Sequence, residues 1–379
     1  MIKNILITGG SGFIGSNLAI KLIDKGYKLT VFDNLSTQIH GKNPDKTSPL
    51  YKSIKGKVNF IKGSVTSIQC WKKAIAGQDA IIHMAAETGT GQSMYEIKKY
   101  IDVNIGGTGI MLNILANKLH TIKKIVLASS RAVYGEGKYE CTEHGVVFPK
   151  TREDSDMSNK SYYCKCPICH EKVLLLPTSE DSKIHPSSIY GITKQSQEQI
   201  VLTMGKSLGI PSVAFRYQNV YGPGQSLSNP YTGILSIFSK QIKNGNNIKI
   251  FEDGKESRDF VFINDVVDAT ILGIEKDEAN YEVFNVGADN PIDIITVAET
   301  LRQNFNSNIE IKVTGNYRLG DIRHNYADLN KIQSVLGFIP KWNFKKGSAV
   351  FTNWVNSQEL QEDMYEKSIK EMESKGLYK

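Results

Sequence analysis

The sequence predicts an α/β protein: a doubly wound parallel sheet followed by a smaller, mixed domain. Three observations predict it. Short apolar runs alternate with helical patterns over residues 3–135, the rhythm of strands that cross over through helices into a parallel sheet. The runs are apolar throughout, as strands covered on both faces require. The first run ends in a glycine-rich turn, Gly9-Gly10-Ser11-Gly12-Phe13-Ile14-Gly15, that opens a helix.

The strands are expected at 4–8, 29–33, 58–62, 80–84 and 124–129, with helices at 15–25, 68–76 and 93–119 between them. Residues 136–186 break the rhythm: they are rich in Pro, Cys, Asp, Ser and Lys, with little periodicity, and read as an insertion. The pattern resumes with a helix at 188–208 and a strand at 212–217. Residues 1–222 therefore form the sheet domain with its insertion. Residues 223–355 form mainly a smaller ligand-facing domain, some of whose segments return to the sheet. Residues 356–379 form a charged tail, expected as a surface helix with a frayed end.

Composition bounds the function. A chain of 379 residues with 40% hydrophobic and 22% charged residues is ordinary for a globular enzyme. No apolar run approaches the ~18 residues a membrane span needs, and Ile5-Leu6-Ile7 is too short for a signal-peptide core. A cytoplasmic protein with no membrane partner is expected. The formal charge of +7 suits solubility or an anionic small ligand such as a diphosphate. Its lysines are scattered, so nucleic acid is not an expected partner.

The glycine turn fits both G-x-G-x-x-G (Gly10, Gly12, Gly15) and G-x-x-G-x-x-G (Gly9, Gly12, Gly15). In either spacing the glycines permit a tight turn and let a pyrophosphate approach the free N–H groups of the helix start. That is the dinucleotide-binding turn of a Rossmann sheet. Asp33 ends the second strand, where a carboxylate accepts from ribose hydroxyls and repels a 2′-phosphate. Asn34 rather than Arg follows, so NAD is favoured over NADP. Further along, Tyr190 and Lys194 are four residues apart on a helix and share a face. A nearby ammonium favours a phenolate, so Tyr190 is the expected base. Ser129 and Ser130 end the fifth strand, on the ligand edge of such a sheet.

With these motifs the chain resembles the extended short-chain dehydrogenase/reductases, specifically the NAD-dependent nucleotide-sugar epimerases and dehydratases. The likeness runs to about residue 345. It includes His83-Met84-Ala85-Ala86, Tyr100-Ile101-Asp102-Val103-Asn104, Arg216 through Pro223, Arg258-Asp259-Phe260-Val261, Asn285-Val286-Gly287 and Arg318 through His324. The resemblance implies Ser130, Tyr190 and Lys194 as the catalytic set. It implies a cofactor site formed by Gly9, Gly12, Phe13, Ile14, Gly15, Asp33, Asn34, Ser64, Val65, Met84, Ala85, Ala86, Asn104, Ala128, Ser129, Tyr190, Lys194, Tyr217 and Val220. It implies a nucleotide-sugar substrate held by Thr88, Ser130, Arg131, Asn219, Gln225, Arg258, Arg318 and Asp321. Guanidinium forks suit phosphate oxygens. It also implies a homodimer through the helices at 93–119 and 188–208.

The chain departs from relatives at Ser64, where Asp often contacts the adenine, and at Phe262, where His is common. The family's 4,6-dehydratases carry Asp-Glu after the catalytic Ser or Thr; here Arg131-Ala132 follow Ser130. A 4-epimerase is therefore expected ahead of a dehydratase, and a non-enzymatic dinucleotide sensor last. Ala86 through Glu96 and Arg216 through Leu227 resemble the dTDP-L-rhamnose 4-epimerase-like subgroup. Another NDP-hexose, a heptose or a uronate is the alternative substrate.

The insertion holds four of the five cysteines. Cys141 with His144 and Cys166 with Cys169 form two spaced pairs suited to a closed, structural zinc site. Cys164 could replace one ligand.

Overall fold

The computed structural model describes the chain except residues 228, 230, 232 and 360–364. Seven parallel strands form the main sheet: β1 (Asn4–Thr8), β2 (Lys28–Asp33), β3 (Asn59–Lys62), β4 (Ala80–His83), β5 (Lys124–Ser130), β6 (Ser212–Tyr217) and β7 (Val283–Val286). Their spatial order is β7-β6-β5-β4-β1-β2-β3, with every neighbouring pair parallel. The order reverses between β1 and β4, and crevices form outside the carboxyl ends of strands at such a point.

The strands are apolar on both faces because each face has its own core. On one side Ile5, Ile7, Val31, Ile82 and Val126 pack against Leu18, Ala19 and Leu22 of helix α1 (Phe13–Asp24). On the other, Leu6, Phe32, Ile81 and Leu127 pack against Trp71 of α2 (Ile68–Ile75), Met111 of α3 (Gly107–Asn117) and Val201 of α4 (Ile189–Leu208). Alternate residues of one strand thus enter different cores. The first core runs on without a break through α5 (Ile263–Glu275) into the smaller domain, to Ile294, Leu301 and Phe351.

Two expectations change. The helix expected over 93–119 is broken into turns at Thr90–Ser93 and Ile97–Tyr100, a widened π segment at Ile101–Gly106, and α3. Such widening is common at functional sites. Here it carries Asn104, whose Oδ1 accepts from the Glu87 amide (2.8 Å) and whose Nδ2 donates to the Glu87 carbonyl (3.1 Å) and Thr193 Oγ1 (3.0 Å). The tail also differs, with residues 360–364 outside the described ones. Helix Tyr365–Ser374 buries Ile369 and Met372, and Tyr378 packs beside them, against Ile237 and Phe251. Tyr317 and Lys379 pair through both backbone bonds (2.9 and 3.1 Å). The apolar positions 369, 372 and 378 override the charged composition.

The insertion forms its own small unit. Strands Gly145–Val147, Tyr139–Cys141 and Leu174–Leu175 make a three-stranded antiparallel sheet, with Tyr139, Cys164, Cys166 and Val173 buried beneath it.

Candidate active site

A cleft of about 480 Å³ opens along the carboxyl ends of β1, β4 and β5. At one end lie Gly9, Gly12, Phe13, Ile14 and Gly15. Gly9 has φ +65°, and a Cβ on it would stand 2.8 Å from the Ala85 backbone; one on Gly15 would stand 2.5 Å from the Gly9 carbonyl. Gly10 does not line the cleft, so the Gly9, Gly12, Gly15 spacing is the one that faces it. Helix α1 starts at Gly12 without a side-chain cap, which leaves its first N–H groups for an anion. Thr8 Oγ1 accepts from the amides of Met84 (3.2 Å) and Ala85 (3.1 Å), fixing the turn after β4 beside the glycines. Asp33 closes this end: its carboxylate accepts from the Ser11 (3.0 Å) and Leu35 (2.8 Å) amides.

At the other end stand Ser130, Arg131, Tyr190 and Lys194. Ser188 caps α4 by accepting from the Gly191 amide (3.1 Å). A Cβ on Gly191 would lie 2.5 Å from the Ala132 carbonyl. A glycine there lets the start of α4 lie against the turn after β5, bringing Tyr190 to Ser130. The two serines divide their work. Ser129 Oγ donates to Glu198 Oε2 (2.6 Å), away from the cleft centre, in a buried network where Glu198 also takes Arg216 at 3.0 and 2.5 Å. Ser130 faces Tyr190.

Burial raises the Tyr190 phenol, while the Ser130 hydroxyl and the Arg131 charge oppose that rise. Lys194, the expected phenolate-favouring ammonium, stands at the same end of the cleft, and Arg131 adds a second positive charge that acts on the phenol. Lys194 Nζ donates to the Ala128 carbonyl (2.9 Å), and burial draws its amine down to about 7. Arg131 Nε donates to Asn219 Oδ1 (2.5 Å), which joins two expected substrate contacts.

Most of the remaining expected residues also line the cleft: Asn34, Ser64, Val65, Met84, Ala85, Ala86, Ala128, Tyr217, Val220, Thr88 and Gln225. Asn104, Arg258, Arg318 and Asp321 do not. Asn104 is fully buried and spent on Glu87 and Thr193, so it positions the loop rather than touching a ligand. Arg258 donates to the Ser257, Ile322 and Arg323 carbonyls (2.9, 2.6 and 2.8 Å). Asp321 bridges Arg258 (3.3 Å) and Arg318 (2.8 Å). These three form a charged cluster electrostatically joined to the cleft through Arg131.

Sequence reasoning missed several cleft residues. Gln38, Ile39 and His40 line the Asp33 end, on short helices between β2 and β3. Pro44 and Pro49 begin two of these helices, and Ser48 caps the latter, a helix-start signal that was legible. Behind the cleft wall, the buried Tyr100 donates to the Thr88 (2.5 Å) and Gly89 (3.0 Å) carbonyls and lies edge-on to Tyr190. Tyr231 also lines the cleft: Tyr95 donates to its hydroxyl (2.6 Å), and it donates to Glu371 of the C-terminal helix (2.5 Å).

In the insertion, Cys141 Sγ lies 3.6 Å from both His144 Nδ1 and Cys169 Sγ, and Cys166 Sγ lies 3.7 Å from the same imidazole nitrogen. One ligand atom from each of the four falls within 4.8 Å of all the others. Cys164 is not with them. Its buried thiol sits 3.4 Å from Glu136 and from the Tyr139 hydroxyl, which removes it as an alternative ligand.

A Rossmann sheet whose fifth strand delivers a serine to a Tyr-x-x-x-Lys helix defines an extended short-chain dehydrogenase/reductase. The chain matches the NAD dependent epimerase/dehydratase family over residues 5–287 and belongs to it. It is 34% identical over 361 residues to dTDP-L-rhamnose 4-epimerase of Burkholderia thailandensis, covering 94% of this chain and 96% of that one. UDP-glucose 4-epimerase of Thermotoga maritima superposes with a TM-score of 0.76 at 27% identity, covering 93% and 98% of the two chains. UDP-N-acetylglucosamine 4-epimerase of Methanobrevibacter ruminantium does so at 0.74 and 29%, covering 94% and 99%. The protein is thus an enzyme of NAD-dependent nucleotide-sugar chemistry. Among the described residues no helix is long and apolar enough to cross a membrane.

Proposed function

We propose that the chain is a nucleotide-sugar 4-epimerase acting on a dTDP-6-deoxyhexose such as dTDP-L-rhamnose, in the cytoplasm, as a homodimer, in surface-polysaccharide synthesis. One observation carries the reaction class. Ser130 and Tyr190 meet in the cleft, and the next two positions are an arginine tied to Asn219 and an alanine. Elimination of water needs a second proton-transfer pair; inversion at one carbon needs a single acid–base group. The likeness to the Burkholderia enzyme supports the sugar.

NAD, when bound, supplies the hydride acceptor and donor at C4. The start of α1 would hold its pyrophosphate, Asp33 the adenosine ribose and Lys194 the nicotinamide ribose. Tyr190 accepts the C4 hydroxyl proton as the carbonyl forms, and returns it when the turned-over sugar is reduced on its other face. Ser130 holds the reacting oxygen throughout. With C4-deuterated substrate, the label is expected back at C4 of the inverted product. Solvent hydrogen at C5 together with loss of water would identify a dehydratase instead.

We also assign the cluster of Cys141, His144, Cys166 and Cys169 to a structural zinc ion. Tetrahedral bonds of ~2.1–2.3 Å set ligand–ligand edges of about 3.4–3.8 Å; three of the separations, at 3.6–3.7 Å, match them, and all pairs lie within 4.8 Å. Elemental analysis of protein never exposed to chelator should find near-stoichiometric zinc; its absence rejects the assignment.

A further inference from the structure

The loop between the two ligand pairs, residues 145–165, reaches the charged cluster at the substrate end of the molecule. Its Tyr162 hydroxyl donates to the Gly315 carbonyl (3.0 Å), and its Asp154 accepts from Tyr317 (2.7 Å). Met157 and Tyr162 pack with Tyr317. Between them the buried Arg152 grips Glu252 with both terminal nitrogens (2.7 and 2.9 Å) and donates to the Asp321 carbonyl (3.0 Å). The Asp321 carboxylate then holds Arg258 and Arg318. Burial pushes that carboxyl up, but Arg318, Arg258, Arg152 and Arg131 outweigh it and hold it far below the ordinary range. Arg131, which lines the cleft, and Arg318, whose side chain is 38% exposed, thus flank the Asp321 carboxylate and offer guanidinium donors to a diphosphate.

We propose that Arg152 is a positioning residue for the substrate's diphosphate, and that the metal-closed loop carrying it couples metal occupancy to nucleotide affinity. The inference rests on the nucleotide-sugar and zinc readings above. Arg152 spans Glu252, Tyr162 and Asp321 at once. A lysine keeps the charge but lacks the planar fork, so the Asp321 backbone and the two guanidiniums it orients would lose their fixed place.

The test measures binding of dTDP and UDP to NAD-loaded protein by calorimetry. It compares wild type, Arg152→Lys, chelator-stripped wild type and the stripped variant. Affinity for the nucleoside diphosphate is expected to fall about tenfold in each single perturbation, and no further in the combination. NAD affinity and kcat should stay within about twofold while KM for the nucleotide sugar rises, a split that general loss of structure would not give. If Arg152→Lys does not fold, the stripped wild type decides the coupling. Unchanged diphosphate affinity, additive losses, or a parallel loss of NAD binding would each overturn the proposal. Wild type that binds neither dTDP nor UDP overturns the nucleotide-sugar reading along with it. Wild type that binds one of them, with unaltered variants, overturns this inference alone.

Discussion

Tyr190→Phe is expected to lower kcat by about 10²–10⁴-fold, the usual range for removing a positioned acid–base group, with NAD still bound. The phenol stands beside Ser130 and Arg131 at one end of the cleft, while the glycine turn and Asp33 that would hold the adenosine half lie at the other. The substitution removes only an oxygen and leaves the edge-on packing against Tyr100 intact. Single-turnover kinetics and a fluorescence titration with NADH separate the two effects. Near-normal turnover would remove Tyr190 from the chemistry. Loss of NAD binding together with turnover would make it a cofactor contact only.

The second large effect concerns stability. Glu198→Gln is expected to cost about 3–5 kcal/mol, the range for breaking one partner of a buried ion pair. Glu198 and Arg216 are each only 3% exposed. Their carboxylate and guanidinium meet through two bonds, and Arg216 reaches on to the Tyr134 hydroxyl (2.7 Å) and the Glu180 carbonyl (2.8 Å). Without the carboxylate, a guanidinium remains in the interior with only neutral acceptors. Urea unfolding monitored by circular dichroism reads the change, and a loss under 1 kcal/mol would show that the network relaxes. Because Ser129 also donates to Glu198, a fall in kcat among surviving molecules would reveal how far Ser130 depends on its neighbour's anchor.

The parts of the site legible in sequence are those whose chemistry is local. The glycine turn, the Tyr-x-x-x-Lys spacing and the strand-end serines each form within a few residues, and backbone geometry dictates where they face. The paired cysteine spacings were legible for the same reason. What the sequence hid was long-range. Arg152 finds its partners 100 and 169 residues away, and no local pattern marks it off from other arginines. Nor does the sequence show that Arg258 is tied to the Ser257, Ile322 and Arg323 carbonyls or Arg318 to Asp321. That Arg131 also acts on Tyr190 follows from where β5 ends relative to α4. The tail misled by composition: three apolar positions among many charges suffice to seat a helix when a receiving surface exists.

The placement of β7 has a consequence for how the molecule is made. This strand lies at residues 283–286, beyond much of the smaller domain, yet pairs with β6 along its whole length. On a ribosome, the first 222 residues would emerge with β6 as a bare edge, its backbone groups awaiting a neighbour more than sixty residues behind. Nascent chains should therefore stay protease-sensitive until residue 286 has cleared the exit tunnel, and the two halves should not survive as separately expressed pieces.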